Sequence, residues 1–148
     1  MKKLLLAIIF VFFTAQLQAA TIDRFIQKIK LPTGETVVVA EGDYEARSIG
    51  SFSVRIYESA VETNETTFFI SGLIHSRDGS LEKIILEDLN DKLKPEIIVV
   101  SRSVGTGNFL SAYVFEFSNN MLLFKIAKEG ILPDSNVINI LQEELNGK

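Results

Sequence analysis

The sequence predicts an all-β fold, an antiparallel β-sandwich or closed barrel of about eight strands with a short C-terminal helix. Short runs of β-branched and aromatic residues recur along the chain, and turn-forming residues separate them. Two runs, at 96–101 and 110–117, are apolar on both faces, which is typical of central strands. A last segment differs from the others because its apolar residues recur at helical spacing.

The strands are predicted from alternation or from β-branched content between turns. The clearest half-buried strand covers residues 51–57, where large apolar side chains alternate with polar ones. The run at 67–74 ends at a Ser-Arg-Asp-Gly turn sequence. In chain order, the predicted strands lie at 25–31, 36–40, 51–57, 67–74, 81–86, 96–101, 110–117 and 122–127.

The C-terminal helix is predicted from a capping residue followed by an apolar stripe. Asp134 or Ser135 can accept hydrogen bonds from the first free amides of a helix. The apolar residues that then share one helical face are Val137, Ile138, Leu141 and Leu145.

The first twenty residues have the pattern of a secretory signal peptide. A positive start with Lys2 and Lys3 precedes an apolar segment at 4–13 and small residues at 19–20. We expect residues 1–20 to be removed and residues 21–148 to form a single exported domain, periplasmic and without membrane attachment after cleavage. The chain has no cysteine, so packing and not disulfides must stabilise this domain.

Removal of the signal peptide changes the charge of the protein. Loss of Lys2 and Lys3 leaves 13 basic residues against 19 acidic residues, a formal charge of −6. An acidic surface disfavours nucleic acid and anionic lipid and favours encounter with a cationic partner. We therefore expect no nucleic-acid partner.

The segment from Arg102 to Phe109, between the two central strands, is the candidate binding site. Gly105 and Gly107 permit positive φ and a sharp bend. Such a bend displays a hydroxyl, an amide and an aromatic ring, which suit contact with another molecule. A plain hairpin turn with solvated polar residues explains the same spacing. The residues alone leave both interpretations open.

A second turn is expected close to this loop. In an up-and-down meander, alternate connections emerge at the same end of a sheet, whereas a Greek-key crossing breaks that relation. The turn at 76–80 and the loop at 103–109 then share one end, and the connection at 87–94 lies at the other. The members of this possible second contact loop are Ser76, Arg77, Asp78 and Gly79.

The residues favour neither an enzyme nor a metalloprotein. His75 is the only histidine, and no nucleophile motif accompanies it. Residues 88–96 resemble a calcium loop, but Lys92 and Leu93 stand where a ligand and a glycine belong. Acidic residues that could form a hydrolase pair lack a distinguishing context: Glu41, Asp43, Glu45, Glu82, Glu87 and Glu116. We predict a binding module with no catalytic residue, metal or cofactor.

Several separated blocks of sequence together resemble a known family. These blocks are 37–51, 69–73, 77–79 and 102–112, in that order. They are similar to the bacterial periplasmic inhibitors of invertebrate-type (i-type) lysozyme. The resemblance implies a β-sandwich-like periplasmic protein, often dimeric, that inserts loop residues into the substrate groove of the lysozyme and so protects the bacterial cell wall.

The resemblance also assigns the loop residues. The inhibitory loop of the family carries a Ser-Gly-x-Tyr pattern, and the matching residues here are Thr106, Gly107, Asn108 and Phe109. Thr106 keeps the hydroxyl, whereas Phe109 keeps the ring and lacks the phenolic donor, a hydrogen bond worth about 1 kcal/mol net. The residues expected to support the loop or to contact the enzyme are Arg102, Gly105 and Ser111.

Three functions follow as hypotheses. The first is inhibition of an i-type lysozyme, with that enzyme as protein partner and a homodimer as a possible assembly. The alternative is an envelope module that binds a saccharide or an anion with the same loop and has no enzyme target. The third is a carboxylate-based hydrolase.

Overall fold

Residues 23–147, which the computed structural model describes, form two four-stranded antiparallel sheets that enclose a hydrophobic core. In chain order the elements are β1 (Ile26–Lys30), β2 (Thr36–Glu41), β3 (Ile49–Tyr57), a short 3-10 helix (Glu62–Asn64), β4 (Phe69–Asp78), β5 (Ser80–Glu87), β6 (Glu96–Arg102), β7 (Leu110–Ser118), β8 (Met121–Ile131) and α1 (Val137–Asn146). The first sheet has the order β1-β2-β3-β4 and the second β5-β6-β7-β8. The two sheets are separate, so the chain forms the predicted sandwich and not the closed barrel.

The predicted signal peptide, residues 1–20, lies outside the described residues. Within residues 23–147, no helix combines the length and the apolar character needed to cross a membrane.

The main core lies between the sheets. Val39, Phe52 and Val54 of the first sheet meet Val99 and Phe115 of the second, and all five side chains are completely buried. Complete burial of one such side chain contributes about 1.5–3 kcal/mol to folding. The alternation predicted for residues 51–57 is confirmed, because its large apolar side chains point into this core.

A second cluster explains why β6 and β7 are apolar on both faces. Their outer faces carry Ile98, Val100 and Val114, which pack beneath Val137 and Leu141 of α1. Both strands are central in the second sheet, as predicted. The predicted cap was wrong: the helix cap is neither Asp134 nor Ser135 but Asn136. The Asn136 side chain accepts hydrogen bonds from the amides of residues 138 and 139.

The predicted turn at 76–80 is also wrong. Ser76, Arg77 and Asp78 are the last residues of β4, and Gly79 alone connects β4 to β5. Gly79 has φ +77°, and a Cβ atom there would lie 1.9 Å from the carbonyl oxygen of Arg102. Only glycine fits this close approach, and it allows the chain to pass from one sheet to the other within one residue.

Candidate functional site

Three connections lie together at one end of the sandwich. They are the β2–β3 loop (residues 42–48), the junction at Gly79, and the β6–β7 loop (residues 103–109). The Gly79 amide donates to the Ser48 carbonyl oxygen at 2.9 Å, and on its other side Gly79 abuts the backbone of Arg102. The meander therefore places the predicted neighbours at one end, although the Gly79 connection is a junction between sheets and not a loop.

The β6–β7 loop is closed by two backbone hydrogen bonds. The Ser103 amide donates to the Phe109 carbonyl oxygen at 2.9 Å, and the Asn108 amide donates to the Gly105 carbonyl oxygen at 3.1 Å. Left-handed backbone occurs at Asn108, with φ 48°, and not at Gly105 or Gly107, which the sequence showed only to permit it. Asparagine tolerates this conformation because its short polar side chain bonds locally.

Gly107 is required for a different reason. A Cβ atom at this position would lie 2.2 Å from Cε2 of Phe109, so the aromatic ring lies across the glycine backbone. Phe109 remains 43% exposed in this position, and Thr106 and Asn108 are exposed beside it. At Gly105 no described atom lies within 4 Å of such a Cβ atom. Contact with Phe109 thus explains Gly107, whereas no steric demand explains Gly105.

Arg102 supports the loop from below. Its Nε donates to Oε2 of Glu82 at 2.5 Å, and its Nη1 donates to the Asn108 carbonyl oxygen at 3.1 Å. The hydrogen bond to Glu82 raises the pKa of Arg102, with a smaller contribution from Asp134. One guanidinium thus links β5 to the tip of the loop. The sequence left open whether this residue contacts a partner or holds the loop, and these two hydrogen bonds are those of a residue that holds the loop.

Ser111 lies at the base of the loop and not on its surface. It is buried, and it pairs in register with Ser101 across β6 and β7. The Ser101 hydroxyl in turn donates to the Asp78 carbonyl oxygen at 2.9 Å. Ser111 therefore belongs to the rigid platform from which the loop projects.

The expected second contact loop is largely internal. The Arg77 side chain is fully buried, and it donates to the carbonyl oxygens of Ala46, Arg47 and Ser51 at 2.9–3.1 Å and to that of Gly79. Glu41 and Glu45 lie 3.9 and 3.8 Å from the same guanidinium. Gly79 is buried as well, so only Ser76 and Asp78 of the predicted group are exposed.

Sequence reasoning missed the β2–β3 loop. Tyr44 stands at its tip, is fully exposed, and has a left-handed backbone with φ 61°. One signal in the sequence could have found this loop. Turns are ordinarily made of small and polar residues, but here an aromatic residue directly follows Gly42 and Asp43. Glu45 anchors this loop by accepting hydrogen bonds from the Ser51 amide at 2.5 Å and from its hydroxyl at 2.7 Å.

Three further candidate residues, His75, Glu41 and Glu116, have structural partners. His75 is half-buried in an aromatic cluster, with its ring centroid 4.6 Å from that of Phe124 and 5.0 Å from that of Tyr113. Glu41 accepts a hydrogen bond from the Leu81 amide at 2.7 Å, and Glu116 pairs with Lys125 at 3.1 Å. Among residues 23–147 no group of three or more His, Cys, Asp or Glu side chains is placed to hold a metal ion.

The calcium-like segment is a turn built around one carboxylate. Asp88 accepts hydrogen bonds from the amides of Asn90, Lys92 and Leu93 at 3.3, 3.1 and 2.6 Å. Burial raises the pKa of Asp88, but these amide donors outweigh it and the net pKa is lowered. Glu96 bonds to the Leu89 amide and to the Asn90 side chain. The carboxylate oxygens of Asp88 and Glu96, which suggested a metal site, thus bond to protein groups.

Comparison with known proteins identifies related inhibitors. The family model described as periplasmic lysozyme inhibitor of I-type lysozyme (PliI) matches residues 23–145. The crystal structure of PliI-Ah from Aeromonas hydrophila is 39% identical, with a TM-score of 0.74, covering 79% of this chain and 98% of that one. The structure of A. hydrophila PliI in complex with Meretrix lusoria lysozyme is 40% identical, with a TM-score of 0.74, covering 80% and 95%. No curated protein matches the chain.

Proposed function

We propose that this chain, which belongs to the family of periplasmic lysozyme inhibitors of i-type lysozyme, blocks the substrate cleft of such an enzyme with its β6–β7 loop. Membership confirms the resemblance drawn from the sequence, and the family is one of inhibitors and not of enzymes. The relative from A. hydrophila is seen bound to the lysozyme of Meretrix lusoria. The specific role of the loop in this chain is our inference.

The observation that carries the proposal is the rigidity of an exposed aromatic tip. Phe109 is fixed against Gly107, the loop is closed by its own backbone bonds, and Arg102 holds the Asn108 carbonyl. A loop that is already ordered loses little conformational entropy on binding. Aromatic side chains with few rotamers are frequent anchors at protein interfaces.

The chemistry of the tip suits a glycosidase cleft. Such a cleft contains two carboxyl groups that flank the scissile bond. The Thr106 hydroxyl and the Asn108 side-chain amide are exposed and can donate hydrogen bonds to these groups. A hydrogen bond to a charged carboxylate is worth about 1.5–3 kcal/mol, more than a neutral one. Occupation of the cleft by this loop excludes the sugar chain from it.

Export places the inhibitor where it protects the cell wall. The pattern of residues 1–20 supports removal of a signal peptide, and the charge of −6 on the remaining chain favours encounter with a cationic enzyme. N-terminal sequencing of the protein purified from periplasm tests the cleavage. A first residue at Ala20 or Thr21 is expected.

We also propose that the protein forms a homodimer. It follows from the family resemblance, and exposed apolar side chains on β4 support it, because Phe69 and Ile74 are 60% and 78% exposed. Light scattering during gel filtration distinguishes a dimer from a monomer. The variant Ile74→Lys is expected to shift a dimer formed through this strand towards the monomer.

Titration of lysozymes with the purified protein tests the proposed function. An i-type enzyme should lose its cell-wall lysis at a nearly stoichiometric amount of inhibitor, and c-type and g-type enzymes measured in parallel define selectivity. Failure to inhibit any i-type enzyme would contradict the proposal. Saccharide affinity without inhibition would favour the envelope binding module, and product release by the protein alone would favour a hydrolase.

A further inference from the structure

The β2–β3 loop presents an aromatic residue that the fold itself does not use. Tyr44 is fully exposed, and its φ of 61° lies in the left-handed region that tyrosine rarely adopts. Neither packing nor backbone preference therefore explains a tyrosine at this position. Large residues held in unfavourable backbone conformations concentrate at binding and catalytic sites.

The loop that carries Tyr44 is held in one shape. Arg77 donates to the carbonyl oxygens of Ala46 and Arg47 at 3.0 and 2.9 Å, and Glu45 accepts both donors of Ser51. The hydrogen bonds from Ser51 lower the pKa of Glu45. An exposed aromatic residue on an ordered loop loses little entropy when a partner covers it.

The two exposed aromatic residues project from one continuous platform. Ser48, the last residue of the β2–β3 loop, accepts the Gly79 amide, and Gly79 abuts Arg102, from which the β6–β7 loop begins. Gly79 therefore lies between the bases of the two loops. A protein that covers Phe109 meets this same end of the sandwich.

We infer that the β2–β3 loop is a second contact for the lysozyme, with Tyr44 as its anchor. This inference rests on the proposed function and replaces the contact expected at residues 76–79. The β6–β7 loop occupies the cleft, and Tyr44 packs on the rim of the enzyme beside it. Tyrosine is among the residues enriched at interface positions that dominate affinity, because it combines apolar area with a polar tip.

Leu93 provides a matched control at the opposite end of the sandwich. Like Tyr44 it is nearly fully exposed, at 96%, and has a left-handed backbone, with φ 60°. It lies in the connection between β5 and β6. Tyr44→Asn and Leu93→Asn each remove an exposed apolar side chain and introduce a residue that tolerates left-handed φ.

The inhibition constants of the wild type, Tyr44→Asn and Leu93→Asn against an i-type lysozyme test the inference. We expect Tyr44→Asn to inhibit at least about fivefold more weakly and Leu93→Asn to match the wild type. The thermal midpoints of both variants should equal or exceed that of the wild type, since asparagine relieves the backbone. Equal inhibition by Tyr44→Asn and the wild type would overturn this contact alone. Absence of inhibition by the wild type would overturn the proposed function as well.

Discussion

A Ser-Arg pair occurs near the end of β4 and again at the end of β6, and the two arginine side chains have opposite environments. Arg77, at the end of β4, has a fully buried side chain, whereas Arg102, at the end of β6, has a side chain that is 36% exposed. One residue follows β4 before the next strand begins, and seven residues follow β6. Arg77 lies on the same face of β4 as Leu73 and His75, which pack towards the main core, so it points between the sheets, where backbone carbonyls surround it. Arg102 lies on the same face of β6 as Ile98 and Val100, the outer face, so it stays near the surface, where it supports a projecting loop.

This difference separates stability from binding. The Arg77 guanidinium joins the β2–β3 loop to the Gly79 junction and therefore belongs to the fold. The Arg102 guanidinium joins Glu82 to the tip of the β6–β7 loop and therefore helps to set the shape of the loop that we propose to contact the enzyme. Changes at the first should alter unfolding, and changes at the second should alter inhibition.

The largest expected effect is that of Arg77→Met. The substitution removes the guanidinium from the buried carbonyl oxygens and from beside the carboxylates of Glu41 and Glu45. Removing one partner from such a buried site costs about 3–5 kcal/mol. Urea denaturation measures this loss, and Arg47→Met, which changes an exposed side chain, should unfold close to the wild type. If Arg77→Met unfolds at the same urea concentration as the wild type, Arg77 does not stabilise the fold, and its proposed difference from Arg102 is wrong.

A smaller effect on a different quantity is expected for Arg102→Ala. The Asn108 carbonyl loses its side-chain donor, so the loop must order itself on binding, and inhibition should weaken about tenfold. The thermal midpoint should change little, because the side chain is partly exposed. Lys128→Ala removes a comparably exposed ion pair with Glu144, on β8 and α1, and should leave inhibition unchanged. Equal inhibition by Arg102→Ala and Lys128→Ala would contradict the supporting role.

The sequence predicts most of the strands and the position of the loop. Alternation in residues 51–57 and the double-sided runs of β6 and β7 depend on local patterns, which the sequence contains. The buried Arg77 could not be predicted, because its acceptors at Ala46 and Arg47 lie 31 and 30 residues away along the chain. A Ser-Arg-Asp-Gly sequence therefore has the appearance of a turn until the fold brings those carbonyls around it.

The roles of the glycines in the candidate site could not be predicted from the sequence either. Two glycines in a short loop permit left-handed backbone, yet Asn108 adopts it, and Gly107 instead accommodates the Phe109 ring. Contact between a ring and a backbone two residues away depends on the path of the loop, which spacing does not specify. The exposure of Tyr44 likewise follows from the way Arg77 and Glu45 fix its loop.

The smallest expected effect is a pH dependence at Glu45. Hydrogen bonds from Ser51, and the charge of Arg77, lower the pKa of Glu45 from its ordinary value of 4.5. A folded-state pKa below the unfolded one stabilises the protein above pH 4.5, and this stabilisation is lost as the pH falls through the folded-state value. The difference in thermal midpoint between the wild type and Glu45→Gln should therefore shrink as the pH is lowered from about 5 through the folded-state pKa.

A matched substitution isolates this effect. Glu62→Gln changes an exposed residue in the connection between β3 and β4, and its thermal midpoint should follow that of the wild type. A constant difference between the wild type and Glu45→Gln across the range would show that the carboxylate does not take part in the Arg77 cluster.

The tip of the β6–β7 loop, in our proposal, inhibits the enzyme and contributes little to the stability of the fold. Inhibition of an i-type lysozyme by the double variant Thr106→Ala/Phe109→Ala, measured beside its thermal midpoint, tests this claim most directly. The side chains of Thr106 and Phe109 are both exposed, and neither belongs to the two buried hydrophobic clusters. We expect loss of inhibition with a nearly unchanged midpoint. Full inhibition by the double variant would contradict it and move the inhibitory site elsewhere on the molecule.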